Sequence, residues 1–391
     1  MAMYLGDKEI GAVVESIDLS QTTATPNDVL EGKEFYDASG EKVAGTYKDM
    51  LQERVDLLGC DYLFYGLSGD FGFASNLDTS NVTQARGMFG SNTARRLDLS
   101  NFDLGKAVNL TDLLEGCLGL TEVILPEIRG GDSTVLKNIS SMFSNCQKLE
   151  SIDWSKFMGV RVYDMATMFY GCYALKSVDL SGLIVDSAIK NSALSGLFRG
   201  CGGLTSIRLP NMQASTLSSL NSMFYDCSAL TEIDLTPINT SAITSFESAF
   251  RGCTRLTTIT GELDLYSATT VNYMFSNCTN ITNLTLKNIR KTLTIGSGAS
   301  YGHLLTLDSL LNAIQELWTK TGTTTLKLTM GTTNTAKLAN VYVKLIPITD
   351  EMREQDQYID NKAPFVVCES TDEGAMLVTE YVTTVKGWQL A

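Results

Sequence analysis

One five-residue pattern constrains this chain more than any other feature. Residues 142–146 read MFSNC, and the pattern returns as MFYGC at 168–172, MFYDC at 223–227 and MFSNC at 274–278. Seven aligned copies place cysteines at 117, 146, 172, 201, 227, 253 and 278, and an earlier copy, MFGSNTARRLDL, lacks the cysteine. A period near 26 residues predicts one supersecondary unit stacked on copies of itself.

The order of residues inside a unit predicts its local structure. The two apolar residues at the start and the cysteine share one face of a helical turn. The residue before the cysteine is Gly, Asn or Asp, which tolerate the left-handed conformation that ends a helix. Alternating pairs such as Ile152/Trp154 then predict a short strand with one buried face. The same pattern makes Leu180 and Ile207 buried strand residues.

The repeated cysteine could be a metal ligand, a disulfide partner or a packing residue. Zinc is disfavoured because the chain has no CxxC pair and a single histidine, His303. Stacked units would bring equivalent atoms to about 4.8 Å, which a disulfide accepts, but their Cβ vectors would run parallel. We therefore expect reduced cysteines that pack as small buried hydrophobic residues.

Composition excludes several function classes. A net charge of −14 argues against nucleic acid as a partner, because phosphate binding uses clustered Lys and Arg. No run of 18 apolar residues exists, and the start MAMYLGDKEIGAVVES lacks the features of a signal peptide. We expect a protein that does not span a membrane.

No motif for catalysis is apparent. The chain contains no phosphate-binding loop and no nucleophile elbow, and His303 reads as a loop histidine. The carboxylate pairs Asp350/Glu351 and Asp372/Glu373 read as solvated surface. We expect no catalytic residue, no cofactor and no metal site.

The repeat resembles the leucine-rich repeats of BspA-like proteins, most closely in NLDTSNVTQARGMFGSNTARRLDLSNFD at 76–103. This resemblance implies an α/β repeat, a right-handed leucine-rich-repeat solenoid with a parallel sheet on one side. ATPNDVLEGKEFYDASGEKVAGTY at 24–47 resembles a module of bacteriophage tail proteins. TTTLKLTMGTTNTAKLA at 323–339 and VTTVKGWQLA at 382–391 resemble the closing segment of such repeats in phage or prophage tails.

These features divide the chain into four regions. They are a small β-rich attachment module at 1–50, an N-terminal cap at 51–75, about eight repeats at 76–291 and a C-terminal cap at 292–391. An amphipathic helix at 306–320, the strand TLKLTM and a second helix at 373–387 are expected in the last region. A polar insert at 349–374 interrupts its final unit.

One outward position of each strand forms a column along the stack. It reads Asp98, Ile124, Asp153, Asp179, Arg208, Asp234, Thr260 and Thr285, with Glu232 and Asn283 among the flanking outward positions. The candidate binding face comprises Asp98, Asp153, Asp179, Arg208, Glu232, Asp234 and Asn283. Two interpretations stay open: a polar sheet that simply faces water, or a binding face for a cationic or hydroxyl-rich ligand.

The resemblance and the repeats together favour a non-enzymatic adhesion protein of a phage or prophage tail. Residues 1–50 would attach to a particle or tail component, and the sheet face would contact a bacterial surface protein or polysaccharide. A homo-oligomer is one arrangement that such an anchor allows. The alternatives are a bacterial cell-surface BspA-like adhesin and a surface-polymer hydrolase that uses the acidic column.

Overall fold

A computed structural model describes most of the repeat region and parts of both ends. The described residues are 2–5, 8–12, 34–36, 42–44, 59–68, 71, 77–129, 136–213, 216–290, 293–294, 305, 307–317, 327–329, 336–357, 359–386 and 389–390. His303 lies outside them. They belong to two compact units, Met1–Ile189 and Lys190–Ala391. No helix in the described ranges is long and apolar enough to cross a membrane.

The first unit begins with two antiparallel hairpins. Strand β1 (Ala2–Leu5) pairs with β2 (Lys8–Ala12). Strand β3 (Glu34–Tyr36) pairs with β4 (Lys42–Ala44). Both hairpins lie in the region predicted as a β-rich module.

The repeats of the first unit contribute short strands, one or two to a turn. They are β5 (Arg96–Asp98), β6 (Glu122–Ile124), β7 (Leu136–Asn138), β8 (Arg161–Asp164), β9 (Ser177–Asp179) and β10 (Ile184–Val185). Strands β5 and β6 pair in parallel. Strand β8 lies between β7 and β10, also in parallel. Parallel pairing of strands a full repeat apart is the expected arrangement of a solenoid.

The second unit contains strands of two to seven residues and ends in a mixed α/β region. Its elements are β11 (Ser206–Arg208), β12 (Glu232–Asp234), β13 (Thr258–Asp264), β14 (Asn283–Lys287), β15 (Leu293–Thr294), α1 (Leu307–Gln315), β16 (Lys327–Thr329), β17 (Tyr342–Leu345), α2 (Asp350–Gln355), β18 (Phe365–Cys368), β19 (Met376–Leu377), α3 (Val378–Glu380) and β20 (Gln389–Leu390). Strands β12, β13 and β14 form a parallel sheet in that order.

The start of each repeat is not the helical turn that the sequence predicted but a pair of tight turns. In one copy, the amide of Phe89 donates to the carbonyl of Leu113 in the next repeat (2.9 Å), while Met88 donates back to Ala85 (3.3 Å). Two residues four positions apart have positive φ, as Asp112 and Gly116 do. Because left-handed residues interrupt a helix, alternate amides bond to the neighbouring repeat instead.

The residue before the cysteine behaves as predicted. It has positive φ in all seven copies, at Gly116, Asn145, Gly171, Gly200, Asp226, Gly252 and Asn277. The turn ladder also includes residues 59–66, within the region predicted as an N-terminal cap, since the amide of Phe64 donates to the carbonyl of Met88 (2.9 Å). The stacked turns therefore begin at least as early as residue 59.

The cysteines are core residues, as predicted. All nine are free thiols, and every one except Cys368 is buried. The repeat thiols donate to the carbonyl of the Phe or Leu of the preceding turn, for example Cys227 to Phe198 (3.1 Å) and Cys253 to Phe224 (3.0 Å). That carbonyl also accepts the backbone amide of its own turn's cysteine. Cysteine thus fills a small apolar space and adds one bond between turns.

Phenylalanine rings form a second ladder beside the thiols. In the second unit, Phe198, Phe224, Phe250 and Phe275 stack in sequence with centroid separations of 5.7, 5.6 and 5.5 Å. Their planes lie within 17° of parallel, and each ring is buried. A stack of this kind fixes the register of neighbouring turns because each ring packs on the equivalent ring.

The C-terminal region matches the predicted helix and strand and corrects the rest. Helix α1 and strand β16 occur where expected. The second helical stretch begins at Val378 rather than 373, because β19 pairs with β17 first. The polar insert is not simply solvated surface: β18 pairs with β17, and Lys362 is 1% exposed.

Two buried lysines hold this region together. The Lys362 ammonium forms ion pairs with Glu316 and with Asp356, the latter at 2.6 Å. The Lys386 ammonium donates to the carbonyls of Gln315, Leu317 and Lys362. Since Gln315 is the last residue of α1, Lys386 satisfies carbonyls at the end of that helix.

Candidate binding face

The strands present alternate residues to the core and to solvent, as their sequence predicted. In β5 and β6, Leu97 and Val123 are buried while Arg96, Asp98 and Glu122 are exposed. In β12, Glu232 and Asp234 are exposed on either side of buried Ile233. We call these outward strand residues the sheet face, and each unit carries its own part of it.

The aspartates of the sheet face form the corner that follows each strand. One carboxylate oxygen of Asp98 accepts bonds from the amide (3.0 Å) and the hydroxyl (2.6 Å) of Ser100. The same pair of bonds joins Asp153 to Ser155, Asp179 to Ser181 and Asp234 to Thr236. A short side chain that binds the backbone two residues on is a turn-forming device. The aspartate column therefore has a structural role in addition to any binding role.

These bonds also keep the column charged. The Ser100 hydroxyl, and then its amide, lower the pKa of Asp98 below the usual value. Ser155 lowers the pKa of Asp153 through the same two bonds. Because both carboxylates are already ionised at neutral pH, the sheet face carries negative charge under physiological conditions.

One candidate residue, Asp153, and one residue predicted to be buried, Ile207, lie differently from the prediction. Residues 151–153 form no strand, and Asp153 instead caps the 3-10 helix Trp154–Phe157. Ile207, expected to be buried, is only half-buried. Asp234 pairs with Thr260 as the column requires, but the column breaks after Thr260, because Thr285 pairs with Glu262 instead.

A bulge causes that break. Strand β13 is longer than its neighbours, and its register with β14 shifts between Thr258 and Glu262. Gly261, within the bulge, has φ of +94°. A Cβ there would lie 3.0 Å from the backbone nitrogen of Thr236. Only glycine accommodates this conformation and this close approach.

One shallow depression lies on the sheet face of the second unit. It has a volume of about 200 Å³ and is open to solvent. Its lining consists of Thr205, Ser206, Ile207, Thr231, Glu232, Ile233, Asp234 and Thr260. Ile207 and Ile233 supply an apolar floor, and hydroxyls and two carboxylates surround it. That combination suits a hydroxyl-rich ligand or a cation better than an extended apolar one.

The depression brings together only part of the candidate set. Glu232 and Asp234 line it. Arg208 and Asn283 are exposed on their strands but do not line it, and the amide of Asn283 donates to the hydroxyl of Thr258 (3.4 Å). Asp98, Asp153 and Asp179 belong to the first unit.

Sequence reasoning missed a ladder of threonines at the entry to the strands. The hydroxyl of Thr257 donates to the carbonyl of Thr231 (2.9 Å), and Thr282 donates to Thr257 (3.1 Å). In the first unit Thr121 donates to Arg95 (2.8 Å). The signal was visible, because Thr directly follows the repeated Leu or Ile in several copies.

Parallel strands at repeat spacing, with the same residues buried in every turn, define each unit as part of a parallel-strand repeat solenoid. Residues 166–306 match a family model described as a BspA type leucine rich repeat region with six copies. Over those residues the chain is similar to BspA-type leucine-rich-repeat proteins. Residues 61–124 and 127–191 match a model described as a Mycoplasma protein of unknown function, DUF285.

These matches support the BspA-like resemblance, while the resemblance of the flanking segments to phage tail proteins stays a prediction. A search of curated proteins found no match. Within the part of the chain that the structure describes, no three His, Cys, Asp or Glu side chains form a group that could hold a metal ion.

Proposed function

We propose that this chain is a non-enzymatic adhesion protein whose sheet face contacts a bacterial surface. The observation that carries this proposal is the contrast between the inside and the outside of the repeat. Inward positions hold the same Leu, Phe and Cys in turn after turn. Equivalent outward strand positions change from Asp98 to Arg208 to Thr260. A scaffold with a fixed core and a varied outer face is suited to recognition.

The sheet face supports polar rather than apolar contacts. Hydrogen bonds lower the pKa values of Asp98 and Asp153, which keeps both ionised. The depression beside Glu232 and Asp234 offers hydroxyls and carboxylates around two isoleucines. Such a surface fits a surface polysaccharide or a basic protein patch. Many copies on one particle would strengthen weak single contacts through avidity.

Two biological settings are compatible with this role. The resemblance of residues 24–47 to a phage tail module supports a tail-associated adhesin that attaches through residues 1–50. The BspA-type repeats support a bacterial cell-surface adhesin equally well. Hydrolysis of a polymer would need two carboxylates across a substrate pocket, but one oxygen of Asp234 is already bonded to Thr236 and the depression is shallow. Those observations favour binding over catalysis.

Binding to whole bacterial cells tests the sheet face. Glu232→Gln with Asp234→Asn removes two charges, keeps side-chain size and retains an oxygen for the corner bond to Thr236. The matched control is Glu351→Gln with Glu354→Gln, which removes two charges from exposed positions of α2. We expect only the sheet-face variant to bind less, most clearly at low salt, where screening is weakest. Equal binding by both variants would contradict the proposal.

Deletion of residues 1–50 tests the attachment role. The repeats described from residue 59 onward contain their own buried ladders, so the shortened chain should fold. It should still bind cells, more weakly, because it has lost its means of assembling on a particle. Complete loss of cell binding in the shortened chain, with normal binding by the sheet-face variant, would reverse the roles of the two regions.

A further inference from the structure

A second surface of the Lys190–Ala391 unit carries an ordered row of arginine and tyrosine side chains. They lie on the tight turns that start each repeat, not on the strands. Arg199, Tyr225 and Arg251 occupy the same position of three successive turns, and Tyr273 belongs to the next turn. We call these four residues the Arg–Tyr ladder.

Each member of the ladder stacks on the next. The Arg199 guanidinium lies 4.7 Å from the Tyr225 ring centre. The Arg251 guanidinium lies 5.3 Å from the same ring and 5.5 Å from the Tyr273 ring. Arg251 is therefore held by two aromatic rings. Cation–π contact with a ring restricts a long, flexible side chain and leaves guanidinium N–H groups free to donate to a ligand.

Arg251 differs from Arg86 and Arg96, which both have acidic partners. Arg86 in the first unit also stacks on a ring, that of Tyr62 at 5.6 Å, but its Nε lies 3.1 Å from the Asp112 carboxylate. Arg96 is likewise paired with Glu122. Within the described ranges, no carboxylate lies within ion-pair distance of Arg251. In a chain with a net charge of −14, an arginine that two rings contact and that forms no ion pair among the described residues is an unusual arrangement.

We propose that the Arg–Tyr ladder binds the carboxylates of an acidic polysaccharide. A stacked guanidinium presents parallel N–H donors that match a carboxylate in bidentate fashion. The Arg251 side chain is already ordered in the free protein, so it loses less conformational entropy when a ligand binds. Tyr and Arg are also the residues most enriched at the energetic centres of interfaces.

The ladder favours a sugar polymer over an acidic peptide. The Tyr273 ring is 62% exposed, which offers an apolar face to a sugar ring. Asn272 and Asn277, in the same turn segment, are exposed amides that can bond to hydroxyls. Arg199 and Arg251 lie two turns apart, or about 10 Å at strand spacing. That separation suits a polymer with a uronate on every second sugar.

Binding of a hyaluronan octasaccharide, which carries such alternating uronates, tests the proposal by calorimetry on the full chain. Its methyl ester and a poly-glutamate peptide of equal charge serve as comparison ligands. We expect the free acid to bind, the ester to bind at least about tenfold more weakly because it loses the charge-assisted bonds, and the peptide to bind more weakly than the sugar.

Variants locate the site. Arg251→Gln and Tyr273→Ala should each weaken binding of the octasaccharide by about tenfold. Arg251→Lys should weaken it by a smaller factor, because lysine keeps the positive charge but lacks the planar guanidinium. Arg86→Gln is the matched control, because it makes the same change at a stacked arginine that already has an acidic partner. Glu232→Gln with Asp234→Asn should bind the sugar normally, which separates this surface from the sheet face.

Several results would overturn the proposal. They are absence of binding by the unaltered chain, equal binding of acid and ester, and equal losses in the Arg251 and Arg86 variants. Tighter binding of poly-glutamate would instead identify an acidic protein as the partner and refute the sugar assignment. Because Tyr273 is largely exposed, Tyr273→Ala should fold normally, which circular dichroism can verify.

Discussion

Replacement of Phe224 by alanine probes the ring ladder at its centre. Phe224 is fully buried and stacks on Phe198 at 5.7 Å and on Phe250 at 5.6 Å. Truncation removes both ring contacts and leaves a cavity that two neighbouring turns enclose, so we expect a loss of about 3–5 kcal/mol in the free energy of unfolding. Urea unfolding monitored by far-UV circular dichroism measures this loss.

The chain supplies its own control for that experiment. Leu114 occupies the equivalent position in another repeat and is also fully buried. Phe224→Leu should therefore cost about 1–2 kcal/mol. Hydrogen exchange in the alanine variant should increase first in the turns around 197–253, because each repeat contacts its neighbours. A loss below 1 kcal/mol for alanine, or equal losses for the two variants, would refute the packing argument.

Three further predictions follow from other contacts. Asp153→Ala should lower the free energy of unfolding by about 1 kcal/mol, and Asp153→Asn by much less, because asparagine keeps an oxygen that can cap the helix. Ser155 lowers the pKa of Asp153, so the stabilisation by the Asp153 carboxylate should be present above pH 3.8 and vanish as pH falls below it, which urea unfolding at several pH values measures. Burial lowers the pKa of Lys386 to about 7, so above pH 7 this side chain binds more protons in the unfolded chain and its contribution to stability should rise with pH. Lys386→Met should remove that contribution and reduce the rise in stability that urea titrations measure between pH 7 and 9, below the pH at which buried thiols such as Cys172, whose pKa is raised to about 12, begin to oppose it. Leu180→Ala should cost about 2–5 kcal/mol by urea unfolding and Ile207→Ala clearly less, because only Leu180 is fully buried; equal losses would contradict the assigned exposures.

Periodicity was enough to identify the core. A fixed spacing of Leu, Phe and Cys requires that the same positions face inward in every turn, and Leu97, Cys146 and Leu180 are all buried. The residue before the cysteine was also predictable, because Gly, Asn and Asp share a tolerance for positive φ. These inferences needed no knowledge of which turn packs on which.

The helical turn was wrong for a physical reason. Apolar residues one and four positions apart fit a helix and a pair of tight turns equally well. What decides between them is where the amides bond, and Phe89 bonds to Leu113 in the next repeat. That choice depends on a neighbour some 25 residues away and is absent from the local pattern.

The site was predictable in part. The outward positions of β5 and β12 follow from alternation, but the corner bonds of Asp98 and Asp234 change what those residues do. The spacing Asp-x-Ser or Asp-x-Thr was a readable signal for that role. The bulge at Gly261 was less readable, because it arises from two strands of unequal length. Nothing local in the sequence indicates that Lys386 reaches the end of α1.

Thiol titration of the native chain tests the central claim, that the repeated residues form the interior of a stacked array. Eight of the nine cysteines are buried, and burial raises the pKa of Cys172 to about 12, which suppresses the reactive thiolate. We predict rapid labelling of Cys368 alone, with the remaining thiols reacting only after unfolding. Rapid labelling of six or more thiols in the folded protein would contradict the account.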